Sequence, residues 1–188
     1  MNKLKKSTLI LSFSLFSVGG FSQSDVHYLD SIEKYKINEH HSENFEKLLI
    51  QHDGRIKPMS TFSSEIIRKI SRKENIYNQS PSQVLLGVVC FPEIWDNIPL
   101  IKVQNKQLLK ELNSKNDLVS YQSFLENGVY LFHDKKDVSK RKPEEKRSKY
   151  DKELIKVDER FNILRTMLFT NRLNTLTIFP NPEDSTTQ

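Results

Sequence analysis

The chain has 188 residues, of which 36% are hydrophobic and 28% charged, and its formal net charge is +5. This apolar content, with only 7 Pro and 5 Gly, excludes a disordered or collagen-like chain. The length fits one folded domain. The single cysteine excludes a disulfide framework and a cysteine-rich zinc site.

The first 22 residues have the pattern of a secretory signal. Residues 1–6 are basic, residues 8–18 form an apolar run, and small residues precede Ser22. A helix of about 11 residues spans about 16 Å, too short for about 30 Å of hydrocarbon, so a cleaved signal is favoured over a membrane anchor. We therefore predict a signal peptide at 1–22, a single periplasmic domain at 23–180 and a polar tail at 181–188.

Removal of this signal changes the charge argument. The signal contains Lys3, Lys5 and Lys6 and no acid, so the formal charge falls from +5 to +2. A nucleic-acid partner is not expected for so weakly basic a chain.

The first predicted elements are two helices, at about 25–36 and 38–49. Asp53-Gly54 is a turn signal, and residues 54–58 should be extended because Pro58 disfavours helical geometry at the residue before it. Thr61 is the expected N-cap of an amphipathic helix, whose apolar side is formed by Phe62, Ile66, Ile67 and Ile70.

The middle of the chain is predicted to form several short helices and strands. Ser80-Pro81 should begin a helix that ends at Phe91-Pro92. A helical turn at 94–98, a strand at 100–103, a helix at 105–112 and another at 117–125 follow, with Asn127-Gly128 as the end of the last one. A second strand is expected at 129–132.

One long helix is expected near the C-terminus. The charge run at 135–149 mixes both signs and indicates a solvated helix face. Beyond it, apolar residues recur at spacings of three and four: Tyr150, Leu154, Val157, Phe161, Leu164 and Leu168. This seam packs either into the domain's own core or against a partner helix. With a closing strand at 176–180, the sequence predicts a mainly α fold (α+β with a few short strands): a single compact helical domain with one long C-terminal helix.

Few residues carry recognisable chemistry. His40 and His41 are adjacent and point about 100° apart on a helix, so they cannot share a metal, although either could be a haem ligand; a solvent-facing helix start is the alternative. Cys90 lies in an apolar segment and is expected to be buried. No common catalytic motif occurs, so we expect neither an enzyme nor a metal site.

The segment at 48–72, LLIQHDGRIKPMSTFSSEIIRKISR, resembles a stretch of the soluble extracytoplasmic part of the fused System II cytochrome c synthetases, of the ResB and CcsA type. Shorter blocks match in the same order at 82–87, 98–102, 151–160 and 178–180. The family's tryptophan-rich membrane segment is missing, since Trp95 is the only tryptophan, and no haem-ligand position of the family maps onto this chain.

This resemblance implies a periplasmic accessory domain for haem export and attachment, which acts by docking rather than by catalysis. Its expected partners are a membrane-embedded synthetase subunit, which would hold it at the inner membrane, and apocytochrome c. The alternative is a free periplasmic protein that binds haem or another ligand. A hydrolase built from scattered carboxylates is a third, less favoured possibility.

Two candidate docking surfaces follow. Arg55 and Lys57 present two cations beside a tight turn, suited to haem propionates or an acidic partner, unless they pair locally. Lys156, Asp158 and Arg160, with Glu159 beside them, form either a second docking surface or intramolecular ion pairs.

Overall fold

The computed structural model describes the backbone of residues 23–52, 54–170 and 177–179. Its helices are α1 (Gln23–Lys34), α2 (Glu39–Glu46), α3 (Met59–Ser71), α4 (Pro81–Cys90), α5 (Pro92–Trp95), α6 (Lys106–Glu111), α7 (His133–Arg141) and α8 (Lys149–Phe169). Its strands are β1 (Leu49–His52), β2 (Arg55–Pro58), β3 (Ile101–Lys102), β4 (Leu118–Val119), β5 (Leu125–Glu126), β6 (Val129–Tyr130) and β7 (Thr177–Phe179).

The predicted fold class is confirmed, because the protein is mostly helical with short antiparallel strands and a long C-terminal helix. The predicted signal peptide and polar tail lie outside the described residues. Within the described ranges, none of the helices has the length and apolar character needed to cross a lipid bilayer.

A three-stranded antiparallel sheet has the order β2-β1-β7. Gly54 adopts a φ of 73° in the turn between β1 and β2, a conformation that glycine accepts without steric cost. The Met59 N–H donates to the Leu48 carbonyl at 2.7 Å. Since hydrogen-bonded pairs alternate along the ladder, the nitrogen of Pro58 points away from β1, and its missing N–H costs no ladder bond. The helix predicted to reach Leu49 ends instead at Glu46, because Leu49 begins β1.

The amphipathic helix predicted after this hairpin is confirmed as α3, with Phe62, Ile66, Ile67 and Ile70 buried. The expected N-cap at Thr61 is wrong, because α3 begins at Met59, directly after extended Pro58. The next start signal is confirmed: the Ser80 hydroxyl and the Gln83 side chain cap each other's backbone N–H at the start of α4.

The helix predicted at 117–125 is wrong. This segment contains β4, a short 3₁₀ turn at Gln122–Phe124, and β5. Asn127 and Gly128 have φ of 51° and 78° and join β5 to β6. Two consecutive residues with positive φ suit the twist of a two-residue hairpin, so this dipeptide forms a hairpin turn and not a helix end.

Helix α8 lies in the core. The seam residues Leu154, Val157, Phe161, Leu164 and Leu168 are all buried. The Phe161 ring stacks on Tyr121 at 4.7 Å and on Tyr130 at 4.3 Å between ring centroids. Of the two alternatives for this seam, the structure shows packing into the domain's own core.

Candidate functional site

The β1–β2 hairpin and α3 form one continuous surface, which contains the first candidate pair. Arg55 and Lys57 are two residues apart on β2, so their side chains leave the same side of the strand. The Lys57 ammonium is 2.7 Å from the Glu65 carboxylate on α3, whereas Arg55 is exposed. Lys57 therefore pairs locally, which was one of the two alternatives offered by the sequence. The contact of Arg55 with a propionate or an acidic partner stays a prediction.

Helix α3 carries an open groove of about 600 Å³ on its outer side, which we call the α3 groove; it is lined by Thr61, Ser64, Glu65, Arg68, Lys69 and Arg72. Arg68 pairs with Glu74 at 3.2 Å, and Lys69 pairs with Glu159 of α8 at 2.6 Å. These pairs are solvent-exposed, where an ion pair contributes about 0–1 kcal/mol. The groove is thus rich in weakly held cations.

The second candidate surface, on α8, is largely directed into the fold. Asp158 is 2% exposed and lies 2.6 Å from the Lys140 ammonium of α7. Arg160 is 5% exposed, pairs with Glu153 at 3.2 Å, and also donates to the Lys102 carbonyl in β3. Asp158 and Arg160 therefore form intramolecular ion pairs. Lys156 alone of the three candidates is exposed, and its docking role stays a prediction.

The charge run at 135–149 supplies partners for these inward acids. It does not form a single solvated helix face, because α7 ends at Arg141 and a 3₁₀ turn follows at Glu144–Lys146. Lys140 binds the buried Asp158, and Lys142 binds the buried Asp151 at 2.7 Å. Part of the run thus holds α7 against α8.

Asp151 is a polar centre that the sequence analysis missed. Its carboxylate accepts hydrogen bonds from Lys142, from the Ser148 backbone and hydroxyl, and from the Ser139 hydroxyl. The hydrogen bond from Lys142 is the largest of the effects that hold the pKa of Asp151 well below its usual range. The signal for it was Ser148-x-x-Asp151 before an apolar run, which is the spacing of a capping box.

Tyr130 lies beside Asp158, with its ring stacked on Phe161 of α8. Burial, followed by the neighbouring Asp158 carboxylate, raises the pKa of the Tyr130 phenol far above its ordinary value. Such a phenol stays protonated at neutral pH, so it has no charge to offer a ligand.

The candidate haem ligands lie on exposed α2. His40 Nδ1 is 3.9 Å from a Glu43 carboxylate oxygen, and the His40 side chain is 82% exposed. The Asn38 side chain accepts from the His41 backbone N–H and caps the helix. Neither imidazole is enclosed by apolar side chains, so this surface does not fit a buried haem; the ligand role of His40 and His41 stays a prediction. Among the described residues, no three His, Cys, Asp or Glu side chains are placed to hold a metal ion.

The burial predicted for Cys90 is wrong, since its side chain is exposed. Helix α4 buries Val84, Leu85 and Val88. Leu86, four residues before Cys90 on the same face, is buried as well. Cys90 is the last residue of α4, so the exposure begins at the end of the helix and does not mark an exposed helix face.

These features define a small, mainly helical domain in which two buried carboxylates of α8 pair with lysines at the end of α7, with a cation-rich surface on the β1–β2 hairpin and α3. No protein-family model matches the chain. Over 98% of its length the chain is similar to Protein NrfI of Wolinella succinogenes, with 31% identity across 193 aligned residues. The chain spans about a fifth (21%) of the length of that relative.

Proposed function

We propose that this chain is a periplasmic accessory domain in System II cytochrome c biogenesis and that it acts by docking to a membrane-embedded synthetase subunit. The observation that carries the proposal is the similarity to Protein NrfI across nearly the whole chain, which supports a role in cytochrome c biogenesis. The chain corresponds to about a fifth (21%) of that longer protein.

The surface chemistry supports docking. The buried carboxylates Asp151 and Asp158 bind lysines of the same chain and stabilise the contact between α7 and α8. Arg55 of β2 and, at α3, Arg68 and Arg72 are in contrast exposed. Exposed cations at such a surface steer an oppositely charged partner and favour recognition.

A deletion strain tests the proposed function. We expect c-type cytochromes, detected by haem staining of membrane and periplasmic fractions, to be lost and to return when the full chain is supplied from a plasmid. Mild crosslinking of the complemented strain should recover a membrane-embedded synthetase subunit. Unchanged c-type cytochromes in the deletion strain, with no such partner recovered, would contradict the proposal.

A further inference from the structure

The outer face of α3 presents its polar groups in one stripe. Thr61, Glu65 and Arg68 recur at spacings of four and three, which places them on the same side of α3. Arg72 directly follows the last helical residue, Ser71, and lines the same groove. All four side chains are exposed, while the opposite side of α3 is buried against the core. The stripe is therefore a surface of the folded domain rather than a packing face.

The positive charge of this surface is only partly neutralised. Three cations, Lys57, Arg68 and Lys69, have carboxylate partners. Arg55 and Arg72 are exposed, and within the described part of the chain neither forms an ion pair. Two arginines are thus left to attract an anion, and arginine presents a planar fork that binds a carboxylate through two hydrogen bonds.

The spacing of the stripe indicates the shape of the anion. The Arg72 N–H donates to the Arg68 carbonyl at 2.9 Å, as in a helical turn, so the two residues are separated by about 6 Å along the axis of α3. Alternate residues of an extended peptide are separated by about 6.6 Å and point to the same side. From Thr61 to Arg72 the stripe is about 16 Å long, which matches about five extended residues.

We propose that the α3 groove binds an extended acidic segment of a partner protein, with carboxylates at alternate positions that engage Arg68 and Arg72, and with Arg55 at the hairpin adding to the attraction. Replacement of the exposed Arg68–Glu74 pair by a pair with the partner costs little free energy, because surface ion pairs contribute about 0–1 kcal/mol. The inference rests on the proposed docking function for its biological role and identifies the surface that docks.

The test uses the full chain and two fluorescein-labelled peptides of the same composition. One peptide alternates Glu and Ala over eight residues, and the other places four Glu before four Ala. Fluorescence anisotropy at about 20 mM salt should show at least threefold tighter binding of the alternating peptide, and about 200 mM salt should weaken binding strongly, because screening then acts at shorter range.

The double variant Arg55→Gln, Arg72→Asn should weaken binding at least tenfold. Asn is chosen at Arg72 because that residue has a φ of 60°, which Asn tolerates.

Lys152→Ala provides the control, because Lys152 is an exposed cation of α8 outside the groove and outside both candidate docking surfaces. It should change the peptide affinity less than twofold. An equal loss in Lys152→Ala, equal binding of the two peptides, or no binding at low salt would overturn the proposal. Binding of the chain to phosphatidylglycerol vesicles without binding to either peptide would also overturn it, in favour of a lipid surface. These outcomes leave the deletion-strain result unaffected, so failure of the groove is distinguishable from failure of the proposed function.

Discussion

A substitution at Arg160 tests whether the charged side chains of α8 stabilise the fold or contact a partner. In the structure its guanidinium joins α8 to β3 through two acceptors, the Glu153 carboxylate and the Lys102 carbonyl. The Arg160→Ala change removes the cation and leaves Glu153, whose side chain is 9% exposed, as a buried carboxylate without its counter-charge. We expect this change to destabilise the domain rather than only to alter its surface.

The size of the effect follows from these contacts. Removal of one partner of a buried ion pair typically costs about 3–5 kcal/mol. Glu153 keeps its hydrogen bond from the Gln104 N–H at 3.0 Å, so the lower end, about 3 kcal/mol, is expected. A domain of this size loses about 2–4 °C in Tm per kcal/mol, which gives a fall of roughly 6–12 °C.

A double variant separates the ion pair from the cavity left by the side chain. Arg160→Met combined with Glu153→Leu removes both charges and keeps most of the volume, and such replacements are often neutral or stabilising. The loss of the acceptor for Gln104 N–H should leave a deficit of about 1 kcal/mol. The double variant is therefore expected to be more stable than Arg160→Ala.

Urea unfolding followed by circular dichroism at 222 nm measures these differences. Lys156→Ala is the control on the same helix, and an exposed substitution of this kind should stay within about 0.5 kcal/mol of the parent. If Arg160→Ala cost less than about 1 kcal/mol, or if the double variant were less stable than Arg160→Ala, the assignment of Arg160 to a stabilising internal pair would be refuted.

Two further predictions concern packing and pH. A Cβ at Gly87 would lie 2.6 Å from Trp95 Nε1. Overpacking costs about 1–3 kcal/mol and the better helix propensity of Ala offsets about 1 kcal/mol, so Gly87→Ala should be less stable by up to about 2 kcal/mol in urea unfolding, and a stabilised variant would contradict this. The lowered pKa of Asp151 means that its contribution to stability is present above its ordinary pKa of 3.8 and is lost as the pH falls below that value. Asp151→Asn should therefore lose less Tm than the parent between pH 5 and pH 2, and parallel Tm curves would contradict this reading.

The sequence predicts best what depends on neighbours along the chain. The period of α8, the cap at Ser80 and the extended segment before Pro58 depend on residues within a few positions, and all three are confirmed. Asn127-Gly128 shows the limit of such signals, because the same dipeptide suits a helix end and a hairpin turn. Only the pairing of β5 with β6 decides between them.

The contacts of the candidate site could not be predicted, because they join residues that are distant in the sequence. Lys140 and Asp158 are 18 residues apart, and Arg160 lies 58 residues from Lys102. Periodicity on α8 places Asp158 and Arg160 off the narrow apolar seam, which favours solvent exposure. Both become buried because α7 and β3 cover faces of α8 that the seam does not mark. The partners that cover these faces come from distant segments, which local spacing cannot identify.

This burial changes which surface of the domain is available to a partner. A charge held in a buried pair cannot be given to a partner without leaving its counter-charge desolvated, at a cost of several kcal/mol. Arg160 is in that position, because its partner Glu153 is also buried, whereas exchange of the exposed pair of Arg68 with Glu74 costs about 0–1 kcal/mol. For a partner that must bind and dissociate, the smaller free-energy cost of exchanging an exposed ion pair favours α3 as the docking surface. Docking is therefore expected to depend on Arg68 and Arg72, with a contribution from Arg55, and substitutions at Asp158 or Arg160 should impair it only to the extent that they unfold the domain.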